Sequence, residues 1–325
     1  MKVFVTGGSG FVGRNLVAML VARGDTVVAL ARSPQAAATV RALGAEVAGG
    51  DLDDGPTMRA GMAGAAVVIH CAAKVEDWGD PAEFHRINVA GTQRVMDAAR
   101  AAGVPRVVHV STEAVLVDGT PIRNVDETRP RALNPAGLYP TSKGQAEAVA
   151  LAANGQGLEV VVVRPRFIWG KGDTAILPKL LEVMRKKQFA WFSGGHYLTS
   201  TCHVRNVCEG ALLAAERGRP GEIYFLTDGE PVEFRGFIAA MAATQGVDAG
   251  SREIPRGVVY ALAAVGEFLW TWLPLKGRPL VTRSAILLTG DEVTVNDAKA
   301  RRELGYRGLV TREAGLAEMR EAAAA

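Results

Sequence analysis

Short unbroken apolar runs alternate along this chain with stretches where apolar residues recur every three or four positions. Val3-Phe4-Val5, Thr26–Ala31, Ala45–Ala48, Ala66–His70, Arg106–Val110, Leu158–Val163 and Glu222–Leu226 are the runs. Their length and enrichment in valine predict strands buried on both faces. Between them, Phe11, Leu16, Val17, Leu20 and Val21 mark one helix, and Phe84, Ile87, Val95 and Met96 mark another over about 81–102. Further helical patterns cover 174–187 and 203–217. Such alternation predicts a doubly wound α/β parallel sheet. From about Phe234 the pattern turns helical and less regular. We therefore expect a sheet domain over 1–230, with an excursion at about 170–200, and a smaller, mostly helical lobe over 231–325 that covers the substrate.

The first strand breaks at Gly7-Gly8-Ser9-Gly10-Phe11-Val12-Gly13, where the first helix starts. Missing side chains let a pyrophosphate approach bare amides, and the helix dipole favours its charge. The turn is thus read as the dinucleotide site of a Rossmann fold, with Gly7, Ser9, Gly10, Phe11, Val12 and Gly13 around the phosphates. At the end of the second strand, where many such folds place a carboxylate for the ribose hydroxyls, stand Ala31, Arg32 and Ser33. A guanidinium can pair with a 2′-phosphate, so Arg32 favours NADP(H), with NAD(H) the alternative. Asp51 and Leu52 follow the third strand. They suit the adenine amino group and ring, and equally an Asx turn or a helix cap. Cys71, Ala72 and Ala73 end the fourth strand, small enough for a flat cofactor to lie against the backbone. Trp78, in the following loop, is a candidate substrate wall or a loop anchor. Asn88 reads as a satisfied structural amide.

The fifth strand delivers Ser111 and Thr112 to the same edge. Tyr139 and Lys143 then stand four residues apart at a helix start, on one helix face. A phenol titrates near 10. A neighbouring ammonium and a cationic nicotinamide would lower that value and make Tyr139 an acid–base, with Thr112 holding the substrate oxygen.

At this point the chain resembles the extended short-chain dehydrogenase/reductase family. The matching residues are Thr6–Gly13, Gly50–Leu52, His70–Ala73, Asn88–Thr92, Val110–Thr112, Tyr139–Lys143 and Arg164–Asp173. Within that family it is similar to the 3β-hydroxysteroid dehydrogenase branch, which includes bacterial sterol dehydrogenases and 2-alkyl-3-oxoalkanoate reductases. The run from Ala72 to Gly79, the run from Arg164 to Asp173 and the tail Lys299–Tyr306 carry that finer likeness. The resemblance implies Tyr139 as acid–base, Lys143 as holder of the nicotinamide ribose and of the tyrosine's acidity, and Thr112 as orienter of substrate. Family members commonly have serine at Thr112, which leaves Ser111 as an alternative. A second departure is Asn206, where aspartate is frequent. Pro165, Phe167 and Ile168, beyond the sixth strand, would flank the nicotinamide. Arg164 reads as a buried structural arginine, and His203 as a cap or core residue.

A net charge of +3 from 37 basic and 34 acidic residues gives no footprint for nucleic acid. Cys71, Cys202 and Cys208 lack metal-ligand spacing and read as reduced thiols of a cytoplasmic protein. The first strand begins at residue 2, which leaves no room for a signal peptide. Residues 257–273 are apolar apart from Glu267. They read as a helix buried over the active site, or as a patch for peripheral membrane contact. Helices over 82–102 and 140–154 would build a homodimer. The composition of the lobe favours a hydrophobic small molecule over a sugar nucleotide, whose diphosphate needs cations. The expected activity is NADP(H)-linked interconversion of a secondary alcohol and a ketone on a bulky sterol-like or long-chain β-keto substrate. The rivals are sugar-nucleotide epimerase or dehydratase work and dinucleotide sensing.

Overall fold

The computed structural model describes residues 1–273 and 275–324. Its centre is a seven-stranded parallel sheet of β1 (Lys2–Thr6), β2 (Thr26–Ala31), β3 (Glu46–Gly49), β4 (Val67–His70), β5 (Arg106–Val110), β6 (Glu159–Pro165) and β7 (Ile223–Leu226). The spatial order is β3-β2-β1-β4-β5-β6-β7. The winding direction reverses between β1 and β4, where Val3 pairs with Val67 and Thr6 with His70. A crevice opens at such a reversal, on the carboxyl side of the strands.

Alternation along the strands supplies both faces. Val3 and Val5 point to one side, with α1 (Phe11–Ala22), α2 (Pro34–Ala42) and, later in the chain, Val204–Arg217 packed over them. Phe4 points to the other, against Met58 and Met62 of α3 (Gly55–Met62) and Val95 and Met96 of α4 (Gly91–Ala101). Ala150 of α5 (Leu138–Ala152) closes that side. Full burial of each large apolar side chain contributes ~1.5–3 kcal/mol.

The helix expected over 81–102 is not uniform. An α-turn at Pro81–Phe84 passes into a π-helical stretch at His85–Ala90 before α4 begins. The extra residue in this wide turn coincides with Asn88, whose amide is committed elsewhere. Its Oδ1 accepts from the Lys74 amide at 2.7 Å, and its Nδ2 donates to Lys74 O and to Ser142 Oγ. Asn88 thus ties α5 to the loop after β4, the structural role expected of it.

The rest of the chain includes α6 (Leu177–Arg185), α7 (Val204–Arg217), α8 (Phe234–Ala243), α9 (Arg256–Trp272), α10 (Arg283–Thr289), α11 (Ala298–Leu304) and α12 (Arg312–Ala324). Trp169, Trp191, Phe234, Phe237 and Met241 make a separate core here. A four-stranded sheet of Val232–Glu233, Leu198–Thr199, Val293–Val295 and Ile122–Val125 crosses this region, and the apolar periodicity gave no sign of it. Three of its strands come from beyond the first 190 residues and one from a loop before α5. The tail then returns to the large sheet. Ala300, Leu304 and Tyr306 are buried in the same cluster as Val3 and Val5, on the sheet side of the boundary expected at 230. Asn206 helps hold the tail, donating to Asp228 and to Val310 O and accepting from the Val310 amide. An aspartate there would face Asp228 with like charge. His203 caps α7, its Nδ1 accepting from the Arg205 amide.

Candidate active site

The glycine turn fits an anion because it is closed within and open in front. Gly7 has φ +71°, and a Cβ there would lie 2.7 Å from the Ala72 amide. A Cβ on Gly13 would lie 2.0 Å from Gly7 O. Gly10 donates to Gly7 O at 2.9 Å and leads into α1 in an extended conformation, with no side chain capping the helix. The dipole end and first-turn amides of α1 therefore face the crevice without a protein anion. Ser9 and Val12 lie in this turn, and the ring of Phe11 is buried beneath the Arg14 guanidinium.

The other expected nucleotide residues distribute around this turn. Arg32 is exposed at the end of β2 and makes no salt bridge among the described residues, while Ser33 caps α2. Asp51 Oδ1 accepts from the Asp53 amide at 2.8 Å, the Asx turn anticipated as its alternative role. Leu52 lies against Gly91, where a Cβ would come within 2.8 Å of its Cδ1. Cys71, Ala72 and Ala73 are half-buried at the end of β4. Burial pushes the Cys71 thiol up to about 12, opposed by Lys143. Pro165 ends β6, paired with Leu226. Phe167 departs from its expected placement in one respect. Its ring is buried edge-on to Phe234 and Phe237 in the lobe core, so backbone rather than ring borders the crevice. Ile168 is half-buried against the core of the large sheet.

Across the crevice, α5 and the end of β5 bring Tyr139, Lys143 and Thr112 together. Lys143 is buried, its Nζ donating to Val110 O at 2.7 Å. Burial, against the pull of Glu147 and Cys71, lowers it to about 8. The Tyr139 phenol is raised, first by burial and then by the Glu113 carboxylate, with the Thr112 hydroxyl opposing. This differs from the sequence expectation of a phenol made acidic by Lys143. With Lys143 bound to a carbonyl and Glu113 nearby, the phenol is held in its protonated form. Two buried imidazoles are held neutral. His70 is pushed down to about 3 by burial and then by Lys143, and His109 well below its usual range for the same reasons.

Thr112 and Ser111 answer differently. Ser111 donates to Glu147 Oε2 at 2.7 Å and is 4% exposed, so its hydroxyl is already used. Thr112 donates to Glu113 Oε2 at 3.1 Å, accepts from the Ala114 amide at 3.2 Å, and stands beside the phenol. Both hydroxyls are thus bonded to a buried carboxylate, and Thr112 is the one that stands beside the phenol.

Two buried ion pairs frame these groups, and sequence reasoning named only Arg164 among their members. Glu147 on α5 accepts two bonds from Arg164 of β6, at 2.6 and 2.8 Å. Glu113 accepts from Arg166 at 2.6 Å, and Arg166 also donates to Thr199 Oγ1 and Leu288 O. The one sequence signal for the first was Glu147 four residues after Lys143 on α5. Trp78 is half-buried in the loop after β4. Among the described residues no group of three or more His, Cys, Asp or Glu could hold a metal ion.

The comparisons bear on this geometry. Residues 4–256 match the 3-beta hydroxysteroid dehydrogenase/isomerase family. A 4-hydroxy-2-methyl-3-oxo-4-farnesyl-3,4-dihydroquinoline-1-oxide ketoreductase of Stigmatella aurantiaca is 55% identical over 99% of this chain and 96% of its own. A 2-alkyl-3-oxoalkanoate reductase of Stenotrophomonas maltophilia is 34% identical over the whole of both chains. Among solved structures, a double mutant of the dTDP-glucose 4,6-dehydratase DesIV from Streptomyces venezuelae, with NAD bound, superposes with a TM-score of 0.78 at 25% identity. That match covers 99% of this chain and 96% of the other. Glycine turn, paired tyrosine and lysine, and full-length relatives that are dehydrogenases and reductases converge on one assignment. The chain is an NAD(P)-dependent oxidoreductase of the extended short-chain dehydrogenase/reductase type and belongs to the 3-beta hydroxysteroid dehydrogenase/isomerase family.

Proposed function

We propose that this protein reduces a ketone on a bulky, apolar, ring-bearing substrate with an isoprenoid or comparable tail, using NADP(H). The observation that carries the reading is a half-buried phenol held in its protonated form beside the Thr112 hydroxyl, at the edge where the glycine turn lies. The 55% identity to a ketoreductase of a farnesylated quinoline oxide supports the substrate class. When bound, the reduced nicotinamide supplies hydride to the carbonyl carbon. Tyr139 donates its phenolic proton to the carbonyl oxygen, while Thr112 holds that oxygen by a hydrogen bond and fixes the face presented. Lys143 would hold the ribose hydroxyls of the bound dinucleotide, and its charge would favour the phenolate left behind. The glycine turn from Gly7 to Gly13 takes the pyrophosphate, Asp51 and Leu52 the adenine, and Cys71 to Ala73 with Pro165, Phe167 and Ile168 the flat faces of the cofactor.

Arg32 sets the choice of cofactor, since its side chain is exposed at the ribose end with no carboxylate bound to it. Arg32→Ala should lower the preference for NADPH over NADH by about tenfold. The same reading includes a homodimer packed through α4 and α5, which light scattering would test, and a cytoplasmic location. The deciding assay follows NADPH absorbance with a farnesylated 3-oxo-dihydroquinoline oxide, a 3-ketosteroid and a 2-alkyl-3-oxo acid, and follows dTDP-glucose by product chromatography, since dehydration or epimerisation returns the hydride and consumes no NADPH. Turnover of one of the first three supports the reading. Turnover of the sugar nucleotide alone would overturn it.

A further inference from the structure

Helix α10 lies against both segments that carry the proposed catalytic hydroxyls. At its start, Ser284 Oγ donates to Ala136 O at 2.5 Å, three residues before Tyr139. The next residue, Gly137, has φ +102°, and a Cβ there would lie 2.7 Å from both Cβ and Oγ of Ser284. At the far end of α10, Leu288 O accepts from Arg166, which also holds Glu113 beside Thr112. Between the two ends, Leu287 and Leu288 pack on the cluster that contains Val115, Leu116, Val117 and Ala136. One short helix of the lobe thus spans the approach to Tyr139 and the turn that follows Thr112.

Tyr139 needs such an outside hold because α5 does not fix its own start. Its N-cap is Gly137, which has no side chain to offer, and Tyr139 is the second residue of the helix. The Ala136 amide donates to Val117 O at 2.9 Å, and the Ala136 carbonyl accepts from Ser284. Ala136 and Ser284 are 3% and 6% exposed, so water does not replace this bond if it is lost. Ser284 is itself braced. Thr282 Oγ1 accepts from the Ala285 amide, which caps α10, and donates to Asp77 in the loop after β4. Arg283 is held through its amide and its Nε by Glu267 of α9, and Val259 and Ala263 of α9 pack on Ile286. The opposite face of α9, with Leu262, Phe268 and Trp272, is exposed.

We infer that Ser284 is a positioning residue for Tyr139. Through the Ala136 carbonyl, and with Gly137 leaving room for its side chain, it lets the lobe set where the phenol stands relative to Thr112. The catalytic consequence rests on Tyr139 being the proton donor proposed above, whereas the placement of the ring is measurable without turnover.

The test replaces the five tyrosines of the full-length protein with 3-fluorotyrosine, whose phenol ionises at lower pH, and follows the fluorine resonance that Tyr139→Phe removes. In the wild type this resonance should be single and titrate later than an exposed fluorotyrosine, since burial and Glu113 both favour the protonated phenol. Ser284→Ala should broaden it and lower its midpoint by about one pH unit, as the loosened ring gains water. Ser284→Cys keeps the size but donates weakly. It should give a smaller change of the same sign, and it serves if the alanine variant does not fold. Tyr197→Phe releases the far end of α10 from Thr289 O and should leave the Tyr139 resonance as in the wild type. An unchanged midpoint and width in Ser284→Ala would overturn the inference. So would an equal change in Tyr197→Phe, which would make the effect a general loosening of the lobe. With a ketone that the wild type reduces, Ser284→Ala should also lower kcat about tenfold at unchanged KM. Failure of the proposed reaction would remove that last readout and leave the fluorine result standing.

Discussion

Two buried carboxylates, Glu147 and Glu113, each hold a buried arginine in this protein, yet they are set to different work. Glu147 spends both oxygens on Arg164 and one of them also on Ser111, all within the body of the sheet. It fastens α5 to β6, and through α5 it fixes where Tyr139 and Lys143 stand. Glu113 divides its oxygens between Arg166 on one side and Thr112 on the other, and its charge reaches the phenol. A buried ion pair is thus a poor guide to role by itself. What the spare oxygen touches decides whether the pair is a fastening or part of the site.

That contrast can be broken in graded steps. The largest effect should come from Tyr139→Phe, which removes the proposed proton donor. It should reduce kcat by about 10³-fold with little change in KM or melting temperature. Retained turnover would detach both carboxylates from catalysis at once. Next comes Glu147→Gln, which leaves Arg164 buried beside a neutral amide. We expect a loss of about 3–5 kcal/mol in unfolding free energy by denaturant titration, with turnover per folded molecule changed only through Lys143, which loses its charge at lower pH without Glu147. Glu113→Gln should do the opposite in kind. Stability should fall less, since Arg166 keeps its bonds to Thr199 and Leu288, and the alkaline limb of the kcat profile should move to lower pH. If Glu113→Gln and Glu147→Gln behave alike, the distinction drawn between them is wrong.

The smallest effect is in the pH dependence set by Lys143. Burial brings this lysine from 10.5 down to about 8. Between those values the unfolded chain holds the proton and the folded one has released it. The group's contribution to stability therefore rises with pH across that window. Affinity for the dinucleotide should move the other way, weakening as pH passes about 8 and the charge at the ribose is lost. Titration calorimetry across that range checks it, and Lys143→Met should abolish the dependence.

Much of this arrangement was legible in the sequence, for reasons that separate local from distant information. The strands of the large sheet are buried on both faces and written as runs of valine, and the glycine turn is contiguous. Tyr139 and Lys143 share a helix, so their spacing alone places them together. Glu113 and Arg166 are 53 residues apart, and only the adjacency of β5 and β6 joins them. The strands at Leu198–Thr199 and Val232–Glu233 are two residues long, too short for any alternation to show. The π-helical turn at His85–Ala90 was invisible because its cause, the capture of Asn88 by Lys74 and Ser142, lies off the helix. The outward face of α9 was ambiguous for a related reason. An apolar helix reads the same from its sequence whether both faces are covered or only one.

The return of the tail to the large sheet has a consequence for how this chain is made. Tyr306, whose hydroxyl donates to Thr227 O at 2.7 Å, fills a place in the same cluster as the first strand. A nascent chain emerging from the ribosome cannot complete the floor beneath β1 until Tyr306 has left the exit tunnel. The nucleotide-binding half, although it is synthesised first, reaches its final packing only after the stretch around Ala300–Tyr306 has been made.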